Sequence, residues 1–190
     1  SAGKTSLKDL VKKLLQSFGE TFCSPKSYNN HFGVPLSLSH LKKKHNYGIF
    51  ELGMSKAGEI NRLSKIIKPH IGIITNIGEA HIENFKNLKG IADAKGEIIN
   101  NIQKGGTLIL NHDDKYFAYL KKKAQLKRLK VISFGLSKKS DVFPLLKLKK
   151  SNKREFVLRI MDQKEKIEIK NINIYNVLSS LALLKELNLN

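Results

Sequence analysis

Cysteine, tryptophan and arginine are scarce in this chain of 190 residues. Tryptophan is absent. Cys23 is the one cysteine, so an internal disulfide framework is excluded. No apolar run reaches the roughly 18 residues that a membrane-spanning helix needs, and no signal peptide is recognisable. These absences favour a protein of a reducing, cytoplasmic compartment that does not work in a membrane.

The scarcity of arginine also decides how the strong positive charge is interpreted. The formal net charge is +19, from 35 Lys and Arg against 16 Asp and Glu. Only four of the basic residues are arginine: Arg62, Arg128, Arg154 and Arg159. Because base readout and bidentate phosphate recognition rely heavily on arginine, the charge indicates a solvated lysine surface. Nucleic acid is therefore not the favoured partner, although nucleotide phosphates stay open as anionic ligands.

The first two thirds of the chain alternate between helix-like and strand-like patterns. Hydrophobic residues make up 41% of the chain, enough for the core of one domain. Apolar spacing predicts helices at Ser6–Phe18, Glu59–Ile67, Ile91–Ile102 and Asn176–Leu187. Short apolar runs predict buried strands at Tyr47–Leu52, Ile71–Thr75, Thr107–Leu110 and Lys130–Phe134, with a lysine-rich helix between the last two. The stretch from Ser24 to Pro35 is interpreted as a loop.

The pattern changes near Ser137, where apolar and polar residues begin to alternate with period two. This alternation predicts antiparallel strands at Val142–Lys149, Glu155–Met161 and Lys166–Ile169. The prediction is one α/β domain over residues 1–190. It has a mainly parallel P-loop-type sheet with helices on both faces, and a small antiparallel β appendage at residues 138–170.

The chain opens with a phosphate-binding pattern directly before its first helix. Ala2, Gly3, Lys4, Thr5 and Ser6 read as the second half of a P-loop, with the leading glycine and its strand expected before the first residue. Backbone N–H groups at a helix N-terminus attract phosphate, a lysine reaches the β- and γ-phosphates, and a hydroxyl ligates Mg²⁺. An ordinary capped helix start is the alternative interpretation.

Four further polar side chains follow predicted strands or lie in a predicted helix. Glu51 ends one strand, and Asn76 and His81 follow the next, so all three belong to the carboxyl edge where ligands collect in open α/β sheets. Lys95 lies in the helix predicted from Ile91. On spacing alone, a solvated glutamate, a structural histidine and a surface lysine remain open.

In this order, the motifs resemble those of the Mur ligase family. They are Gly3-Lys4-Thr5, Glu51-Leu52-Gly53, Thr75-Asn76 with Ala80-His81, and Ala94-Lys95-Gly96-Glu97-Ile98. Two finer features, Tyr28 to Leu36 and Glu51 to Met54 leading to Gly58-Glu59-Ile60, resemble the member that adds D-alanyl-D-alanine to UDP-N-acetylmuramoyl-tripeptide. The resemblance runs from Ser1 to about Leu187.

The resemblance implies a role for each matching residue. Lys4 would bind phosphates, Thr5 and Glu51 would hold one Mg²⁺, and His81 would help to hold a second. Lys95 resembles the lysine that CO₂ carbamylates in this family, and its carbamate would orient the second metal. The implied set is completed by Asn29 and Asn30, facing the muramyl-peptide substrate, and by Asn176, near the adenine. The sequence departs from the family's His-Asn pattern here, because Tyr175 precedes Asn176 and Ser179 follows.

The resemblance implies an ATP-dependent ligase of cell-wall precursor synthesis that works through an acyl phosphate and acts as a monomer. The family's N-terminal UDP-binding domain and C-terminal domain are expected outside this sequence, so turnover by the 190 residues alone is not expected. A ligase of the folylpolyglutamate or cyanophycin synthetase type is an alternative. A basic nucleic-acid-binding module is another.

Overall fold

The computed structural model describes residues 3–25, 28–79, 82–150, 153–160, 163–169 and 172–189. The helices are α1 (Lys4–Leu15), α2 (Gly33–Ser39), α3 (Glu59–Ile67), α4 (Leu88–Gly96), α5 (Phe117–Leu126) and α6 (Ile174–Glu186). Short 3₁₀ turns cover Ile82–Asn84 and Glu97–Asn100. The strands are β1 (Thr21–Cys23), β2 (Tyr47–Ile49), β3 (Ile71–Ile74), β4 (Thr107–Asn111), β5 (Lys130–Phe134), β6 (Val142–Lys150), β7 (Lys153–Ile160) and β8 (Gln163–Ile169).

A six-stranded sheet with the order β3-β4-β5-β6-β7-β8 forms the centre of the fold. β3, β4 and β5 pair in parallel, and β6 joins β5 through the parallel pair Phe134 and Val142. β6, β7 and β8 are antiparallel, so the predicted appendage continues the main sheet. β1 and β2 form a separate parallel pair beside α1.

Helices cover both faces of the parallel strands, as the sequence predicts. In β4, Ile109 packs into a cluster with side chains of α1 and α6. Its neighbours Leu108 and Leu110 point the other way, into a cluster with α5. All three are at most 1% exposed, because a parallel strand between two helix layers has no solvent face. Among the described residues, no helix combines the length and apolar character needed to cross a membrane.

The structure differs from several of the predicted elements. The helix predicted over Ser6–Phe18 is α1, which runs from Lys4 to Leu15. The loop predicted from Ser24 to Pro35 ends where α2 begins at Gly33, and Pro35 fits in the first turn of α2 because that turn needs no internal N–H donor. The strand β1, directly before this loop, was not predicted. The strand predicted over Tyr47–Leu52 ends at Ile49. The helix predicted from Ile91 begins at Leu88, since the Asn87 side chain caps it by accepting from Gly90 N at 3.0 Å.

Candidate nucleotide and metal site

Gly3 and the first turn of α1 present backbone N–H groups that could bind an anion. Gly3 is the N-cap of α1 with φ 97°, a left-handed conformation that favours glycine, and no described side chain caps this helix. Leu7 N donates to Gly3 O at 2.9 Å, which closes the first helical turn. The first N–H groups of α1 therefore have no intrahelical acceptor, and the helix dipole makes this end favourable for an anion. Lys4, half-buried, begins the helix at this point.

Glu51 is the centre of a hydrogen-bonded group beside this turn. Its side chain is 7% exposed, and Thr5 Oγ1 donates to Glu51 Oε2 at 2.9 Å. Asn29 Nδ2 donates to the other carboxylate oxygen at 3.1 Å. The Glu51 amide donates to Ser24 Oγ at 3.3 Å. The structure thus brings Thr5 and Glu51 into contact and adds Asn29, whose contact with Glu51 the sequence did not predict. The metal-binding roles of Thr5 and Glu51 stay predictions.

The donor set around Glu51 fits a small hard cation. A carboxylate and a hydroxyl in direct contact offer the oxygen ligands that Mg²⁺ prefers. Among the described residues, no group of three or more histidine, cysteine or carboxylate side chains could hold a metal ion by itself. That composition is compatible with Mg²⁺, which commonly keeps several waters and takes phosphate oxygens as its other ligands.

The two asparagines predicted to face a substrate have different surroundings. Asn29 O accepts from Gly53 N at 2.7 Å, and a Cβ on Gly53 would lie 2.9 Å from the Asn29 side chain. Glycine at position 53 therefore lets the two loops approach closely. The side-chain Oδ1 of Asn30 accepts from Phe32 N and Gly33 N, at 3.1 and 2.9 Å, at the start of α2. A substrate contact of either residue stays a prediction.

Lys95 reaches the carboxyl end of β3 from α4. Its Nζ donates to Asn76 O at 2.8 Å. Burial and the neighbouring charge of Lys4 lower the pKa of Lys95 to about 8, although Asp114 acts in the opposite direction. The electrostatic effect of Lys4 places Lys95 within range of the α1 turn. Within the described part of the chain, the buried Asn76 Oδ1 has no hydrogen-bond partner, so a polar acceptor there is unsatisfied.

The start of α6 borders the same turn. Asn176 is 5% exposed, and its Nδ2 lies 3.5 Å from Gly3 O. The Tyr175 hydroxyl donates to Asp113 Oδ2 at 3.2 Å, and burial together with Asp113 raises the pKa of Tyr175. Asp113 also accepts from Leu136 N at 2.6 Å. It therefore links the loop after β4, the end of β5 and the start of α6.

Glu97 connects the helix that carries Lys95 to the loop that follows Glu51. One carboxylate oxygen accepts from Gly58 N at 2.7 Å and the other from Asn61 N at 3.0 Å, at the start of α3. A carboxylate at a helix N-terminus satisfies free N–H groups and complements the helix dipole. The sequence analysis missed this role of Glu97, as it missed Ser24, Asp113 and Asp114.

Three predicted site residues are not joined to this group by the structure. His81 and Ala2 lie outside the described residues. Ser6 is exposed on α1. Their predicted roles in binding metal or nucleotide therefore stay predictions. The other predicted residues lie at the start of α1, after β1, after β2, after β3, on α4 and at the start of α6.

A mainly parallel sheet, a Gly-Lys-Thr turn opening a helix and a carboxylate at a strand end define a P-loop-type α/β domain. Residues 1–184 match the family described as Mur ligase middle domain. The chain belongs to the Mur ligase family.

Relatives of known name support this assignment. The chain is 41% identical over 143 residues to the UDP-N-acetylmuramoyl-tripeptide–D-alanyl-D-alanine ligase of Buchnera aphidicola subsp. Baizongia pistaciae, covering 75% of this chain and 31% of that protein. It is 36% identical over 114 residues to the ligase of that name from Escherichia coli, covering 60% of this chain and 25% of that protein. The chain thus spans about a third or less of these relatives.

A solved structure gives the same picture of the fold. The crystal structure of MurF from Acinetobacter baumannii superposes with a TM-score of 0.92 and 30% sequence identity. The superposition covers 100% of this chain and 42% of the MurF chain.

Proposed function

We propose that this chain is the ATP-binding middle domain of a ligase that joins D-alanyl-D-alanine to UDP-N-acetylmuramoyl-tripeptide. The observation that carries the proposal is the 2.9 Å hydrogen bond from Thr5 to the buried Glu51, directly beside the Gly3 turn. The names of the relatives supply the two substrates. The activity is proposed for a longer protein, to which this chain contributes the nucleotide site.

The nucleotide contacts follow from the α1 turn. Free N–H groups at the start of α1, together with Ala2, Gly3 and Ser6, would bind phosphate oxygens. Lys4 would reach the β- and γ-phosphates, where its charge offsets the repulsion between the nucleotide and an approaching carboxylate. Asn176, which borders Gly3, would lie toward the adenine. Asn76 would complete the contacts at the end of β3.

Two Mg²⁺ ions are proposed. Thr5 and Glu51 would hold the first, and His81 with a modified Lys95 would hold the second. When bound, Mg²⁺ would supply positive charge that stabilises the phosphoryl group during transfer. The residues of this chain orient the ligands. Asn29 holds one Glu51 oxygen and leaves the other facing Thr5.

The surroundings of Lys95 support carbamylation by CO₂. Only the neutral amine attacks CO₂, forming an N–C bond and releasing a proton to solvent. With a pKa of about 8, about a quarter of Lys95 is neutral near pH 7.5, against about 0.1% for a lysine of pKa 10.5. The product is an anion that could take the metal-facing role proposed above.

The proposed reaction has two steps. An oxygen of the tripeptide carboxylate attacks the γ-phosphorus of ATP, and ADP leaves, giving an acyl phosphate. The amine of D-alanyl-D-alanine then attacks the acyl carbon and loses a proton, while phosphate leaves with the carboxylate oxygen. Asn29 and Asn30, on the loop beside Glu51, are proposed to face the muramyl-peptide.

Phosphate release by the full-length protein tests this proposal. We expect release to require ATP, Mg²⁺, UDP-N-acetylmuramoyl-tripeptide and D-alanyl-D-alanine together. Glu51→Gln should lower kcat by about a hundredfold or more, because it removes the carboxylate ligand of the proposed Mg²⁺ beside the transferred phosphoryl group. Glu20→Gln is the matched control, since the Glu20 side chain is 60% exposed and pairs with Lys44. Equal activity of the two variants would contradict the assigned role of Glu51.

Isotope transfer and the choice of acceptor test the chemistry and the substrate separately. Tripeptide labelled with ¹⁸O in its terminal carboxylate should give phosphate that carries one ¹⁸O atom. Unlabelled phosphate would exclude the acyl phosphate. Turnover with glutamate and a folate, without turnover on the muramyl substrate, would instead favour the folylpolyglutamate type of ligase.

A further inference from the structure

Lys8 is a buried cation on the same helix as the phosphate-binding turn. Its side chain is 5% exposed, whereas Lys13 on the same helix is exposed. Lys8 Nζ donates to Ser24 O at 2.9 Å and to Pro25 O at 3.4 Å. Within the described residues, no carboxylate forms an ion pair with it. Burying an ammonium that contacts only carbonyl oxygens costs folding free energy. We therefore expect Lys8 to have a role that offsets this cost.

The hydrogen bonds of Lys8 belong to a closed ring. Thr5 and Lys8 are three residues apart on α1 and lie on neighbouring parts of its surface. Lys8 binds the carbonyl of Ser24, and the hydroxyl of Ser24 accepts from the Glu51 amide. The Glu51 carboxylate accepts from Thr5, which returns the ring to α1. Each member of the ring therefore restrains the distance between Thr5 and Glu51.

A lysine suits position 8 because its ammonium group faces backbone carbonyl oxygens. The carbonyl of Ser24 follows β1 directly, and Ser24 is buried, so leaving this carbonyl without a donor would be costly. The ammonium offers up to three donors and can satisfy it while also contacting the Pro25 carbonyl, which accepts from Tyr28 N as well. Because carbonyl oxygens hold the ammonium, Lys8 needs no carboxylate partner beside Glu51. Such a second carboxylate would compete with Glu51 for the same cation.

We propose that Lys8 is a positioning residue for the Thr5–Glu51 pair. It holds Ser24 against α1, and Ser24 holds the backbone of Glu51, so that hydroxyl and carboxylate are in place before a cation arrives. Lys8 itself contacts neither metal nor nucleotide in this scheme. The inference rests on the proposed function, because it assigns Thr5 and Glu51 to Mg²⁺.

Nucleotide binding by the full-length protein, with and without Mg²⁺, tests the inference. Lys8→Met keeps an apolar stem and removes the donors. Ser24→Ala removes the acceptor of the Glu51 amide and keeps the carbonyl that Lys8 binds. Both should raise the Mg²⁺ concentration for half-maximal ADP binding about tenfold, the effect of losing one well-placed hydrogen bond. ADP affinity in EDTA should change less than about twofold, and Lys13→Met should alter neither quantity.

Hydrogen exchange in the metal-free protein gives a second readout. The amide of Glu51 should exchange about tenfold faster in Lys8→Met and in Ser24→Ala than in the wild type, because its acceptor is lost or released. A lower Tm with an unchanged Mg²⁺ requirement and unchanged exchange would overturn the inference and leave Lys8 a structural residue.

Two further outcomes separate the inference from the proposed function. If Lys8→Met does not fold, the Mg²⁺ requirements of Ser24→Ala and Lys8→Arg test the inference in its place. An unchanged Mg²⁺ requirement in Ser24→Ala refutes the ring, and near wild-type behaviour of Lys8→Arg supports it. If the wild type shows no Mg²⁺-dependent ADP binding, the proposed function fails, and the exchange of Glu51 still decides whether Lys8 holds it.

Discussion

Replacing Lys4 by methionine tests whether the α1 turn and α4 meet in one pocket. The charge of Lys4 contributes to the low pKa of Lys95, second to burial, although the two residues belong to different helices. Lys4→Met removes that charge and keeps an apolar stem of similar length. The pKa of Lys95 should therefore rise from about 8. It should stay below 10.5, because burial, the larger cause, is unchanged.

The size of the effect follows from the neutral fraction of the amine. At a pH well below both values, a pKa of 8 instead of 10.5 gives about 300 times more neutral amine. For each pKa unit by which Lys4→Met raises the pKa of Lys95, the neutral fraction of the amine near neutral pH falls about tenfold. The reaction rate of Lys95 falls by the same factor. The midpoint of reactivity moves to higher pH by the same amount.

Trace acetylation across a pH series, read by mass spectrometry of the peptide that contains Lys95, measures this midpoint. Lys89, on the same helix, is an internal standard, because its hydrogen bond to Asp93 raises its pKa above 10.5. Lys13→Met is the matched variant on α1. A Lys95 midpoint in Lys4→Met that equals the wild-type value, or falls below it, would refute the convergence of Lys4 and Lys95.

Three other predictions concern folding free energy, measured by urea unfolding. Glu97→Ala should cost about 1–3 kcal/mol, because two N–H donors at the start of α3 lose their acceptors, and Glu97→Gln should cost less. Burial raises the pKa of Asp93, but hydrogen bonds, first from Tyr119, outweigh it and lower that pKa to about 2. The stabilisation is complete above the ordinary pKa of 3.8 and is lost as pH falls toward 2, so Asp93→Asn should cost about 1 kcal/mol at pH 6, after allowing for solvent screening, and less at pH 3. Gly3→Ala should cost about 1 kcal/mol because φ is 97°, and it should also weaken ADP binding.

The bounds of helices and strands were predicted best where an apolar pattern ended at a clear boundary in the sequence. The helix Glu59–Ile67 and the strand Lys130–Phe134 have the predicted bounds. Pro69 follows the helix, and the strand is a short apolar run between polar segments. The order of elements predicts Glu51 and Asn76 at one sheet edge, because the carboxyl ends of parallel strands face the same way. In the structure β2 and β3 belong to different sheets, so Glu51 follows the β1–β2 pair and Asn76 follows the edge strand of the main sheet.

The contacts that hold the site could not be predicted from sequence. In a chain with 35 lysines and arginines, no local pattern distinguishes the buried Lys8 from its exposed neighbours. Ser24 lies in a segment whose three-residue strand is too short to give a periodic signal. Asp114 acts to raise the pKa of Lys95 although 19 positions separate the two residues in the chain. Such contacts depend on tertiary packing, which spacing along the sequence does not encode.

Three charged side chains in and beside the proposed site are held by neutral groups. Lys95 binds a backbone carbonyl, Lys8 binds two, and Glu51 accepts from a hydroxyl and an amide. Among the described residues, none of these three forms an ion pair. An ion pair would have to be broken or shared when a triphosphate and a cation bind, whereas a carbonyl or hydroxyl leaves the field of the charge largely available. The pocket therefore keeps separated charges of both signs, which is the electrostatic condition for binding phosphate and Mg²⁺ side by side.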